Sequence, residues 1–141
     1  MTLDILQTQD TSLGARLADG LGLSFAQTFV HQFIVSRHPR SVPMGWRDRA
    51  LNGINLFHCP SLPAAQINDA HGTPCGWVLG IALRCKGFVI KDTFTVPAVL
   101  GHDDFMDVFT KHVTYLSGRY VVILASPDTA RVYTDPVGDL A

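Results

Sequence analysis

At 141 residues, with 47% apolar and 16% charged side chains, the chain has material for a real core without disulfide or metal staples, and much of it must be buried. Eleven basic against twelve acidic residues leave a net charge of −1, which removes the electrostatic case for nucleic acid or an anionic membrane. No stretch reaches the ~20 apolar residues that cross a bilayer, MTLDILQTQD is not ordered like a signal peptide, and three irregularly spaced cysteines point to reduced thiols in the cytoplasm.

Residues 1–14 read as a short strand or an unstructured lead-in. Leu13 to Gly22 has room for one or two helical turns, weakened at Gly14, Gly20 and Gly22 by roughly 1 kcal/mol each. Ser24 to Ser36 carries two patterns. Phe25, Phe29, Val30, Phe33 and Ile34 fit a helical stripe, with Ser24 and Gln27 as a capping box. Its richness in Phe, Thr, Val and Ile favours a strand, which is the preferred reading, with Phe25, Phe29 and Phe33 as core.

After the break at His38–Pro43, the segment Trp46 to Phe57 holds a turn at Asn52-Gly53, and a strand runs from Ile54 to His58. Ala64 to Asn68 is a short strand, and Asp69 to Thr73 a tight turn. Trp77 to Leu83 is a strand closed by a turn at Arg84–Gly87, and Phe88 to Ile90, extending toward Val96, returns from it. Asp103 or Asp104 caps a helix from Phe105 to Leu116. Phe105, Val108, Phe109, His112, Val113 and Leu116 lie at helical spacing on one side, and Asp107 and Lys111 pair on the other face. Gly118 is the expected left-handed stop. Arg119 to Ala125, apolar on both faces, suits a central strand. Ser126–Thr129 turns it back into Ala130–Asp135. Hairpins with one late helix indicate an α+β fold of antiparallel sheets carrying a helical layer.

The words Leu116-Ser117-Gly118-Arg119-Tyr120 and Val132-Tyr133-Thr134-Asp135-Pro136-Val137-Gly138 resemble the close of class II glutamine amidotransferase domains, as found at the N-terminus of asparagine synthetases. The likeness can be followed from about Asn52 onward. It implies the α-β-β-α sandwich of N-terminal nucleophile domains. It further implies that the 141 residues form a single amidotransferase-like domain, the N-terminal part of a longer protein that continues into an ATP-dependent synthetase domain.

The family's glutaminase needs an N-terminal cysteine whose thiolate attacks the glutamine amide while its own amine acts as base. Here position 2 is Thr2, and no cysteine precedes Cys59. Thr2 is the alternative nucleophile once Met1 is removed. The oxyanion-hole Asn-Gly pair is missing from the strand Gly76–Ile81, and Asn52-Gly53 falls one strand too early. Asp103 matches the position of the Asp that holds the substrate's α-amino group, although helix capping accounts for it without a ligand.

Other groupings carry less. His58, Cys59, His71 and Cys75 lack the spacing of a zinc site, and a Cys–His dyad from Cys75 or Cys85 has no motif behind it. His112 reads as a hydrogen-bonded, half-buried side chain. Gly72–Gly76 lacks the lysine and helix of a phosphate loop. The expectation is a catalytically inactive amidotransferase-like domain that packs on an amide-forming synthetase-like domain in cis or in trans, with a homo-oligomer also open. ATP and magnesium would belong to the synthetase, so no cofactor or metal is expected here. The alternatives are a Thr2 hydrolase and a free-standing α+β binding module.

Overall fold

A computed structural model describes residues 20–22, 31–42, 44–84 and 87–135. The expected lead-in strand, most of Leu13–Gly22, most of the Phe25–Phe33 stripe, Cys85-Lys86 and Pro136–Gly138 lie outside the described residues. The fold is α+β with mostly strands, in two compact units. One comprises the chain up to Ala50 with Ile54–Leu62; the other comprises Leu51–Gly53 and the chain from Pro63 onward.

The first unit carries a three-stranded sheet. Strand β1 (Phe33–Ser36) lies antiparallel to β3 (Ile54–His58), and β2 (Arg47–Leu51) takes the other side of β3. Asn52 and Gly53 join β2 to β3 with φ of 49° and 78°, both positive as a type I′ hairpin turn requires. The turn was legible in the sequence, but β2 was not. Its RDRAL alternates too weakly to signal a strand, and it is held by its partner rather than by its own propensity.

The second unit is a five-stranded sheet in the order β6-β4-β5-β7-β8. Ala64–Asn68 (β4) and Pro74–Leu83 (β5) form the hairpin expected around Asp69–Thr73. Beyond β5 the return at Phe88–Ile90 is a single bridge, Leu83 to Val89, backed by the amide of Ile90 donating to Ala82 O at 2.9 Å. It does not extend antiparallel to Val96. The chain leaves β5, and Thr93–Thr95 (β6) pairs parallel with the outer side of β4, which makes the sheet mixed. The sequence pattern missed this crossing because three residues carry no directional signal.

Helix α1 (Phe105–Thr114) follows, and then β7 (Ser117–Ala125) and β8 (Ala130–Thr134), close to the expected bounds. Phe105, Phe109 and Val113 lie four apart and bury one helix face against Val78, Ala82, Tyr120, Val122 and Leu124 of the sheet. Burying each such side chain contributes about 1.5–3 kcal/mol. On β7 every side chain from Tyr120 to Ala125 is buried, so the strand is central, as its apolar run on both faces implies.

Three details differ from expectation. Of the two expected caps, Asp104 holds the position, but without the capping hydrogen bond. Its φ of −87° and ψ of −3° are helical. The helix stops at Thr114, and Gly118 is not its cap. Gly118 lies inside β7 with φ of 113°, packed so closely on β5 that a Cβ would be driven into the carbonyl oxygen of Ile81. Asp107 and Lys111 form no ion pair among the described residues. Substitution of Gly118 by Ala therefore combines backbone strain with a main-chain clash, and is expected to destabilise by about 3 kcal/mol or more in urea unfolding. A loss below 1 kcal/mol would mean that β5 and β7 can separate at this point.

Candidate functional site

At the C-terminal end of α1 an open pocket of about 470 Å³ is lined by Arg84, Phe88, Phe94, Lys111, His112, Tyr115 and Leu116. Three pieces of chain build it. Arg84 and Phe88 flank the turn after β5, where the amide of Arg84 donates to Phe88 O at 2.7 Å. Phe94 comes from β6, and its ring lies under the Arg84 guanidinium at 5.3 Å. Lys111, His112 and Tyr115 come from the last turn of α1 and its cap.

Lys111 and His112 suit a helix C-terminus, where the macrodipole favours cations. Arg84 has no such reason to be there. Among the described residues neither Arg84 nor Lys111 has a carboxylate partner, and none of the lining residues is acidic. His112 Nδ1 donates to Val108 O at 2.9 Å, which leaves Nε2 as the ring nitrogen available to a ligand. Phe88 and Tyr115 are about two-thirds exposed, an unusual surface for two aromatic rings. The chemistry of the described lining residues is cationic and aromatic, with no carboxylate among them, which suits holding an anion.

Among the described residues, those singled out in the sequence do not gather at this pocket, apart from His112. Thr2 and Cys85 lie outside the described residues. Asp103 is exposed ahead of α1. The Asn52 side chain is committed, its Nδ2 donating to Ala125 O at 2.7 Å. His58 and Cys59 are buried in the first unit. His58 is held neutral, its pKa lowered first by burial and then by Arg49 and Arg47. Its Nδ1 donates to Cys59 O at 3.1 Å, and its Nε2 accepts from Arg49 Nε at 3.4 Å. Among the described residues no three His, Cys, Asp or Glu side chains could share a metal. No helix there is long and apolar enough to cross a membrane.

Asp69 has a structural task. Burial pushes its carboxyl up, but the amides of Leu100, Thr73 and His71 donate to it at 3.0, 2.8 and 2.9 Å and hold it below the usual carboxylate range. Cys75 beside it is fully buried. Desolvation, with a smaller contribution from the Asp69 charge, pushes its thiol up to about 12, which removes it as a nucleophile at neutral pH. Compared with family models, with curated proteins and with solved structures, the chain finds no match.

Two measurements test these assignments. Cys75 should resist thiol reagents in the native protein and react on unfolding; labelling at the rate of an exposed cysteine would contradict its burial. Asp69, with a depressed folded pKa, adds stability that is complete above the unfolded value of about 3.9 and is lost as pH falls through the folded value. Replacing Asp69 with Asn should lower the urea midpoint at pH 7 and flatten its fall between pH 5 and 2. An unchanged acid limb would exclude the carboxylate as its source.

Proposed function

We propose that this chain is a catalytically inactive amidotransferase-like domain, built as an α-β-β-α sandwich, that packs on or supports an ATP-dependent, asparagine synthetase-like domain in cis or in trans. The observation that carries this reading is the common use made of the two halves of the closing motif. The amide of Tyr120 donates to Asp135 Oδ2 at 3.2 Å, and the amide of Asp135 donates to Tyr120 O at 3.1 Å, so Gly118-Arg119-Tyr120 and Asp135 meet across the final hairpin. Such a closure holds a fold together and performs no chemistry.

The loss of glutaminase activity follows from what stands at the places that would need it. Gly76–Ile81 offers no asparagine for an oxyanion hole, Asn52 is spent on Ala125, and Cys59 and Cys75 are buried. Asp103 is the candidate for the substrate's amino group, and among the described residues both cysteines, Cys59 and Cys75, are buried. Ile81 and Val89, half-exposed near the end of β5, give the domain apolar surface to place against a synthetase. In this reading ATP and magnesium act on the synthetase and the domain itself needs no cofactor. The cytoplasm is its expected setting. The pocket beside α1 favours one second reading, a free-standing binding module.

Ammonia release from glutamine tests the inactivity directly. The protein with Met1 removed is expected to match its Thr2→Ala variant at background. Release that depends on Thr2 would replace this proposal with a working N-terminal hydrolase. The supporting role predicts that the protein isolated from its own cells is part of a polypeptide or complex that contains an ATP-dependent amide-forming synthetase. A lone 15.4 kDa species would overturn that role and leave the binding module.

A further inference from the structure

We propose that the pocket of Arg84, Lys111 and His112 binds a small anionic arene: a flat aromatic body carrying one carboxylate or phosphate group. The inference does not rest on the supporting role proposed above, since it needs only the geometry of the second unit.

Four observations converge on it. First, two formal positive charges and an imidazole line one pocket with no acidic residue among the described residues that line it. Mutual repulsion of the cations is a standing cost that an anion relieves, and charge-assisted hydrogen bonds from a guanidinium or an ammonium are the stronger kind. Second, Arg84 is pre-positioned. Its guanidinium lies over Phe94, a buried ring, so less side-chain freedom is lost when it engages a ligand. Third, Phe88 and Tyr115 are about two-thirds exposed at the rim, one from the turn after β5 and one from the helix cap. Aromatic rings held at a pocket mouth offer faces and edges on which a flat ligand stacks. Fourth, a volume of about 470 Å³ falls within the ~300–1,000 Å³ of small-molecule sites and exceeds what a bare inorganic anion fills.

The roles divide accordingly. Arg84 and Lys111 take the anionic group. His112, with Nδ1 occupied by Val108 O, meets it through Nε2 by a hydrogen bond. Phe88 and Tyr115 cover the ring. No bond is made or broken, so the site is one of recognition.

Titration of the intact protein with four probes tests this, followed by amide shifts in NMR spectra: 1-naphthyl phosphate, 1-naphthoate, inorganic phosphate, and 1-naphthylmethylamine as a cation of like shape. Either naphthyl anion should bind and move the signals of Lys111, His112 and Tyr115. Tighter binding of the phosphate identifies a phosphoester as the ligand, and tighter binding of naphthoate a carboxylate. Arg84→Gln and Lys111→Gln should each weaken that binding about tenfold, with the urea midpoint unchanged for the exposed Lys111 and lowered for Arg84 only by the loss of its contact with Phe94. Inorganic phosphate binding as well as the naphthyl anions would overturn the aromatic half of the proposal. The amine binding as well, or neither substitution mattering, would overturn the anionic half. No shift at Lys111, His112 or Tyr115 with any probe would overturn the site itself.

Discussion

The hydroxyl of Tyr120 sits in the apolar space between α1 and the five-stranded sheet, and it donates toward two carbonyls at the end of the helix, those of Val113 and Leu116, each at 3.2 Å. Val113 O already accepts the amide of Leu116 at 3.3 Å, so the Tyr120 hydroxyl adds a buried side-chain donor there and another at Leu116 O, tying the chain at the helix end to β7 from inside the core. The amide of the same residue donates to the Asp135 carboxylate and its carbonyl accepts the Asp135 amide; that carboxylate adds to the burial in raising the phenol's pKa, so the hydroxyl stays a donor. One residue thus fixes where the helix ends and how it lies on β7 through its side chain, and where the final hairpin closes through its backbone.

The remaining parts of the second unit are arranged around that fixed point. Phe109 packs on Tyr133 with ring centroids 5.7 Å apart, and the Tyr133 hydroxyl meets Thr110 Oγ1 at 3.2 Å, so β8 is tied to the helix as well as to β7. Asp69 does for the opposite end what Tyr120 does for this one. Its carboxylate gathers amides from the β4–β5 turn and from Leu100, which sets the path of the chain into α1. The pocket follows from both anchors, because the helix end that Tyr120 fixes is the one that carries Lys111, His112 and Tyr115.

Much of this was readable in the residues, and the reason is locality. Asn52-Gly53, Asp69–Thr73 and Ser126–Thr129 are turn words whose chemistry acts within four residues. The apolar spacing of Phe105, Phe109 and Val113 is set by the helix alone. What was missed depends on partners far along the chain. RDRAL becomes a strand only beside β3, and Thr93–Thr95 only beside β4. Gly118 looked like a helix stop because a glycine after a helix usually is one, whereas here the backbone of β5 demands it. The pocket had no signature at all: Arg84 and Lys111 lie in different elements, and only the tertiary fold brings them to one place. Thr2 and Asp103 remained sequence readings, the first outside the described residues and the second an exposed side chain.

The parallel contact between β4 and β6 has a consequence for how the unit comes together. The β4–β5 and β7–β8 hairpins close across short turns and can form early, with little entropy lost in bringing their ends together. The β5–β7 ladder and the β4–β6 pairing join segments far apart in sequence, so each must wait until the intervening chain is organised. While they wait, β5 presents a long apolar edge. A newly made chain is therefore most exposed to self-association between the completion of the β4–β5 hairpin and the arrival of β7, the interval in which a binding partner or chaperone would have most to protect.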